Sequence, residues 1–306
     1  MKYPKKLESG SVIGLVCPSS PVDYIREEKC KSFIQNLGYK IKVADNLTAN
    51  HGGYMAGNGP ARGKWLNTMF ADPEVDAIFC IKGGSGGSRS MEFMDLQIIK
   101  KNPKIFLGYS DVTSHHIALN QICEMVTFHG PMVSSNMVDK FDEETKNSLF
   151  NALNAVEPYD FQNPKGAEIF TVRKGSARGV LTGGCLALLS ASIGTFYEID
   201  TKGKILFIED VGEEVSRLER YAYHLRNSGK FKDSAGIILG TFENCKNSHM
   251  SNYSPVDCLI DIIGDIDVPI LCNVQSGHCF PMMTLPFGAD CSIDTSTKTI
   301  RFYPQR

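Results

Sequence analysis

The chain has 306 residues, 42% of them hydrophobic, and 32 Lys plus Arg balance 34 Asp plus Glu to leave a net charge of −2. At about 150 residues per domain this is enough for two cores rather than one. No dense basic run exists to follow a phosphate backbone and no stretch nears the ~18 apolar residues that span a bilayer, so neither nucleic acid nor membrane is an expected partner.

The apolar run near the start, VIGLV at 12–16, is too short for a secretion signal and reads as a buried strand entering a Pro/Ser turn. Helical spacing over Tyr24 to Leu37 closes at Gly38, and the strand KIKVA follows. A helix is predicted over Ala61 to Phe70, a strand over Asp76 to Ile81, then a glycine-rich loop, a helix near Met91 to Lys100 and a strand at Ile105 to Leu107. This alternation predicts an α/β fold whose N-terminal domain, residues 1–150, is a Rossmann-like or flavodoxin-like parallel sheet with helices on both faces. The polar, proline-containing EPYDFQNPKGAE marks a linker over 151–175. Beyond it, 176–306 reads as a mixed α+β domain rich in short strands: GGCLALLSASIG helical, KILFIED a strand, VSRLERYAYHLRNSG a helix, then AGIILGTF and PILCNV as strands. Ten cysteines are scattered with no CxxC pair, several inside strand-like runs, which fits buried thiols in a reducing cytoplasm and neither a disulfide framework nor a metal site.

Four places carry candidate chemistry. The strand ending at Leu107 runs through Gly108 and Tyr109 into Ser110 and Asp111, and DVTSHHIALNQI follows with helical spacing. A serine at such an elbow projects from the carboxyl end of the sheet, with the next amide, Asp111, aimed at a developing oxyanion. A plain helix cap by Ser110 or Asp111 competes with that reading, and Val112 stands where GxSxG has its second glycine. The loop IKGGSGGSR, 81–89, fails both the dinucleotide fingerprint and the P-loop; it is either a flexible turn or the source of a second oxyanion amide, from Gly83 or Gly84. SGHCFP places His278 in a loop after a strand, while His115 and His116 read as packing or supporting residues and His129 as a lesser site candidate. KILFIED ends in the acids Glu209 and Asp210. Each alone is commonplace, but a serine, an acid and a histidine in that order supply nucleophile, orienter and base.

Taken together, GSVIGLVCPSSP, YMAG through FADPEVDAIFCIKGG, PKIFLGYSDVT, FHGPM, LTGGCLALL, ILFIEDVGE, AGIILGTF and SGH followed by LPFGA resemble the LD-carboxypeptidase family of serine peptidases, the muramoyltetrapeptide carboxypeptidases, over nearly the whole chain. The resemblance implies a triad of Ser110, Glu209 and His278 and an oxyanion hole from the amides of Gly84 and Asp111. It implies a cytoplasmic, cofactor-independent homodimer that releases D-Ala from murein tetrapeptides during cell-wall recycling. Gly83 and Arg89, with Lys82 nearby, are candidates for holding the substrate's terminal carboxylate. Lys82, Ser85 and Cys185 depart from the family's usual residues beside the expected cleft, which bears on substrate preference. The alternatives are a microcin C immunity type of peptidase acting on aminoacyl or peptidyl nucleotides, a non-catalytic ligand-binding protein on the same fold and, given the failed fingerprint, least of all a nucleotide-dependent oxidoreductase.

Overall fold

The computed structural model describes residues 1–250 and 252–305. The first sheet is built from β1 (Val12–Val16), β2 (Lys40–Val43), β3 (Ala77–Cys80), β4 (Ile105–Gly108) and β5 (Thr127–His129). These run parallel in the spatial order 5-4-3-1-2. Strands β3 and β4 are apolar along their whole length because helices cover both faces of the sheet and every side chain is buried. The helices are α1 (Tyr24–Asn36), α2 (Gly59–Ala71), α3 (Leu96–Lys101), α4 (Thr113–Gln121), the single turn α5 (Val138–Lys140) and α6 (Glu143–Asn154). Asp23, Asn58 and Asp142 cap α1, α2 and α6 by accepting a backbone N–H three residues on, which sets where those helices begin. The helix expected over 91–100 is divided: a 3-10 segment covers Gly87–Phe93, and the Asp95 carboxylate accepts the Gln97 and Ile98 amides to start α3 afresh.

The second sheet has β6 (Tyr159–Asp160), β7 (Phe170–Arg173), β8 (Ser176–Cys185), β9 (Ile205–Val211), β10 (Gly236–Glu243) and β11 (Ile270–Cys272). After β12 (Leu285–Phe287), it is completed by β13 (Asp290–Asp294) and β14 (Thr299–Tyr303), in the order 6-14-13-8-9-10-11-7. Its centre, β8 to β11, is parallel and its flanks are antiparallel, which gives the mixed α and β character expected of the second half. Helices α7 (Leu186–Ser192), α8 (Val215–Asn227) and α9 (Pro255–Ile263) pack with it; α8 buries Val215, Leu218, Ala222 and Leu225, the spacing of one helix face.

Two further segments differ from the sequence reading. The stretch 151–175 holds the end of α6 and both β6 and β7, which pair with β14 and β11 at the two edges of the second sheet. Short edge strands among Pro and Gly carry too few residues to show alternation. Gly183 to Cys185, read as helical, instead end β8, and the helix starts only at Leu186. Gly183 and Gly184 take φ values of +140° and +137°, and a Cβ on Gly183 would collide with the Phe207 backbone.

Strand β12 positions the site. It leaves the second sheet to pair antiparallel with β5, Leu285 opposite His129, so the segment between β11 and β12 bridges the two sheets. No described helix is long and apolar enough to cross a membrane.

Candidate active site

Ser110 follows β4 at φ +64°, a left-handed conformation that costs a non-glycine residue of order 1–3 kcal/mol and persists only where the surroundings enforce it. They do so here. Gly108 lets the strand pass between Cys80 and Val112, where a Cβ would lie 3.1 Å from each. Buried His116 fixes the carbonyl of Gly108 through Nε2 at 2.8 Å and reaches Thr127 Oγ1 through Nδ1 at 2.8 Å. A 3-10 turn, Ser110–Val112, then leads into α4. This strand, strained turn and helix leave the Ser110 hydroxyl at the carboxyl end of the first sheet.

The other two residues come from the second half. Glu209, near the end of β9, is fully buried, and its Oε2 accepts both the ring Nδ1–H of His278 at 2.7 Å and the His278 backbone N–H at 3.2 Å. Its Oε1 has no donor among the described residues, so the carboxylate leans on His278. Gly277 makes the approach possible: at φ +98° it passes so close to Glu209 that a Cβ would strike the carboxylate. The far nitrogen of His278, Nε2, lies 2.9 Å from Ser110 Oγ. A carboxylate only accepts hydrogen bonds, so Nδ1 carries the proton and Nε2 is left to accept from the serine hydroxyl. Burial acts to lower the His278 pKa, but the charge and hydrogen bond of Glu209, with Asp210 adding, raise it above the ordinary 6.5. Tyr109 packs against the ring in a T-shaped contact with the centroids 4.8 Å apart.

The glycine loop lies against the serine. A Cβ on Gly83 would meet Ser110 Oγ at 3.2 Å, and Gly84, at φ +112°, has no room for one beside Ser20. Among the described residues neither the Gly84 nor the Asp111 amide donates a hydrogen bond within the chain. The Asp111 side chain turns inward, buried, and accepts the Gly87 amide at 2.6 Å; burial pushes its pKa up, while Ser19, that amide and Arg62 act to lower it. Arg89 is exposed on the 3-10 segment and, among the described residues, joins no ion pair. Lys82 and Ser85 are exposed on the same loop, and Cys185 is buried where β8 meets Glu209.

The other histidines lie below this layer. His129 is fully buried among Tyr109, His116, Phe207 and Phe287 with neither ring nitrogen bonded, and burial first, then His116 and His278, hold its pKa well below 6.5. It packs beneath Tyr109 and takes no part in the hydrogen-bond chain. Three residues that the sequence did not single out support the site: Tyr109, Ser20 and Arg62. Ser20 donates its amide to Gly83 O at 3.1 Å and accepts that of Ser85 at 3.2 Å, and Arg62 bonds Gly86 O at 2.8 Å. The only signal for Arg62 is a charged residue on the apolar face of α2.

A hydroxyl at a strained elbow, a histidine nitrogen within hydrogen-bond reach of it and a buried carboxylate behind that histidine form the arrangement that a hydrolase of the serine type requires. The sequence matches the LD-carboxypeptidase N-terminal domain over residues 13–130 and the LD-carboxypeptidase C-terminal domain over residues 178–293. It is 38% identical over 299 residues to the probable murein peptide carboxypeptidase of Bacillus subtilis (strain 168), covering 97% of this chain and 92% of that protein. It is 26% identical to the Microcin C7 self-immunity protein MccF of Escherichia coli, covering 98% and 95%. Among solved structures, MccF in complex with glutamyl sulfamoyl guanosine superposes with a TM-score of 0.92 at 24% identity, over 99% of this chain and 98% of that one. Muramoyltetrapeptide carboxypeptidase from Oxalobacter formigenes gives 0.84 at 24%, over 96% and 100%. The chain belongs to the LD-carboxypeptidase family.

Proposed function

We propose that the protein is a cytoplasmic serine carboxypeptidase that cleaves the L,D peptide bond of murein tetrapeptides and releases the terminal D-Ala. The observation that carries this reading is the unbroken chain from Glu209 through His278 to Ser110, at 2.7 and 2.9 Å. The family and the murein peptide carboxypeptidase relative support the substrate class. Ser110 Oγ attacks the carbonyl carbon preceding D-Ala while His278 Nε2 takes its proton, and Glu209 holds the ring and stabilises the imidazolium. The amides of Gly84 and Asp111 receive the negative oxygen. His278 then gives its proton to the departing amine, and a water activated by the same nitrogen hydrolyses the acyl-enzyme. These steps use side chains and amides of the chain itself. Gly83 and its neighbours, with Arg89 at the mouth, hold the terminal carboxylate; the free guanidinium of Arg89 supports that role. Arg89→Ala then raises KM more than it lowers kcat in steady-state kinetics. The resemblance to the family supports a homodimer.

The test is release of free D-Ala from tetrapeptides ending in L-Lys-D-Ala or diaminopimelate-D-Ala by the protein and by its Ser110→Ala variant. Release by the parent alone is the expected result. Turnover by Ser110→Ala sinks the nucleophile assignment. If neither peptide is cleaved but an aminoacyl sulfamoyl nucleoside is, the substrate is of the kind bound by the MccF structure.

A further inference from the structure

The C=O of Gly86 and the N–H of Gly87 belong to one planar peptide unit. Two buried ionisable side chains hold its two ends. Arg62 Nη2 donates to the Gly86 oxygen at 2.8 Å, and Asp111 Oδ2 accepts from the Gly87 nitrogen at 2.6 Å. Arg62 is fully buried and Asp111 nearly so. The other terminal nitrogen of Arg62 donates to Gly57 O at 2.8 Å, and among the described residues its guanidinium touches no carboxylate. A cation and an anion thus face each other across one peptide, whose own dipole is aligned with the pair. Taking a guanidinium out of water costs several kcal/mol, and here the carbonyls of two loops are what offsets it.

The rest of the loop has no slack. Ser20 binds Gly83 O and the Ser85 amide; a Cβ on Gly86 would lie 2.8 Å from Met55 Sδ, and one on Gly87 2.7 Å from Asp111 Oδ2. Asp111 is also the residue after the serine, so its side chain ties the glycine loop to the elbow that carries its own amide.

We infer that Arg62 and the Asp111 carboxylate are positioning residues for the oxyanion hole, locking the Gly86–Gly87 peptide and thereby setting the Gly84 amide against Ser110. This rests on the serine peptidase reading above. The pair contributes more to the transition state than to ground-state binding, because the oxyanion exists only after attack and the Arg89 side chain, which it does not hold, shares the grip on the terminal carboxylate.

The experiment measures kcat and KM for D-Ala release from the L-Lys-D-Ala tetrapeptide with the intact protein, Arg62→Gln, Arg62→Lys, Asp111→Asn, the Arg62→Gln/Asp111→Asn double variant and Ser110→Ala. Misplacing one donor is expected to lower kcat about 10²-fold in Arg62→Gln, with KM within about threefold. Arg62→Lys recovers part of the loss, and the double variant loses little more than the worse single one, because both side chains hold one peptide. Asp111→Asn keeps the backbone amide, so its kcat falls with KM held, and it carries the same test if Arg62→Gln does not fold. Unchanged kcat in the folded variants, a loss in KM alone, or fully multiplicative losses overturn the inference. Inactive Ser110→Ala beside a fully active Arg62→Gln overturns the inference only, whereas active Ser110→Ala overturns the reading beneath it.

Discussion

His278 and His129 both pack edge-on against the ring of Tyr109, at 4.8 and 5.9 Å, and they titrate in opposite directions. Burial acts to lower both. His278 has a carboxylate on Nδ1 and is raised; His129 has no hydrogen-bond partner on its ring among the described residues and is driven down by burial, then by His116 and His278. Burial alone would depress both rings, and the buried Glu209 carboxylate reverses that at His278. The same contrast runs through the polar residues of the first half, where His115 and His116 are pressed to about 3 and about 4 and serve as hydrogen-bonding struts.

The largest break in this comparison is Glu209→Gln, which makes the environment of His278 more like that of His129. We expect kcat to fall about 10³- to 10⁴-fold, because an amide does not hold the required tautomer or stabilise the imidazolium. With the raising influence gone, the acid limb of the kcat/KM profile moves to lower pH; a limb that stays put means that another group titrates. Next, Gly277→Ala forces a Cβ onto the Glu209 carboxylate at a positive φ. The expected cost is about 1–3 kcal/mol of stability in thermal unfolding, with a loss of kcat about tenfold or more as the hydrogen-bonded pair is pushed apart. Unaltered kcat means that the loop adjusts without disturbing the relay.

The comparison also predicts how stability follows pH. His115, His116 and His129 have folded pKa values below the unfolded 6.5, so below about pH 6.5 the unfolded chain binds more protons and stability falls as pH drops toward about 4. Each contributes up to about 1.4 kcal/mol per pH unit in that window. His278 has the opposite sign: its raised pKa adds stability that is present below 6.5 and lost as pH rises through the folded value. Urea titrations at several pH values measure the slope, and His129→Phe should make the acid slope shallower. The smallest effect follows from that variant at neutral pH. A phenyl ring replaces an imidazole with two unbonded nitrogens, so stability should hold or rise and kcat stay within about twofold. A large loss of activity would place His129 in the site after all.

Much of this is legible in the sequence. The strand Val12–Val16 and the helix beginning at Tyr24 lie where periodicity puts them, because buried parallel strands are unbroken apolar runs and helices repeat at three and four residues. Ser110 at its elbow, Glu209 at a strand end and His278 in a loop after a strand were legible as a combination, although each had a commonplace alternative. The start of α7 is not legible in the sequence because glycines end a strand and precede a helix with equal ease; the collision of a Gly183 Cβ with Phe207 depends on a neighbouring strand. Arg62 was missed for a related reason, since nothing within α2 shows that its guanidinium is buried or which carbonyls await it.

The sequence by itself determined the alternation of strands and helices, the family and the order of serine, acid and histidine, because these depend on near neighbours along the chain. Local pattern does not separate Glu209 from Asp210, and only the tertiary structure supplies the reason that Glu209, the acid the resemblance implies, meets the histidine: successive residues of β9 point to opposite faces and only one face looks toward the loop at Gly277. Asp210 instead accepts the Ala187 amide at the start of α7, and burial lifts it to about 6. The contact of His278 with Glu209 and Ser110 is likewise made where β12 crosses to pair with β5 and carries the His278 loop between the sheets. Ser110 and His278 lie 168 residues apart, and the contact between them is set by packing between elements, which no local pattern records.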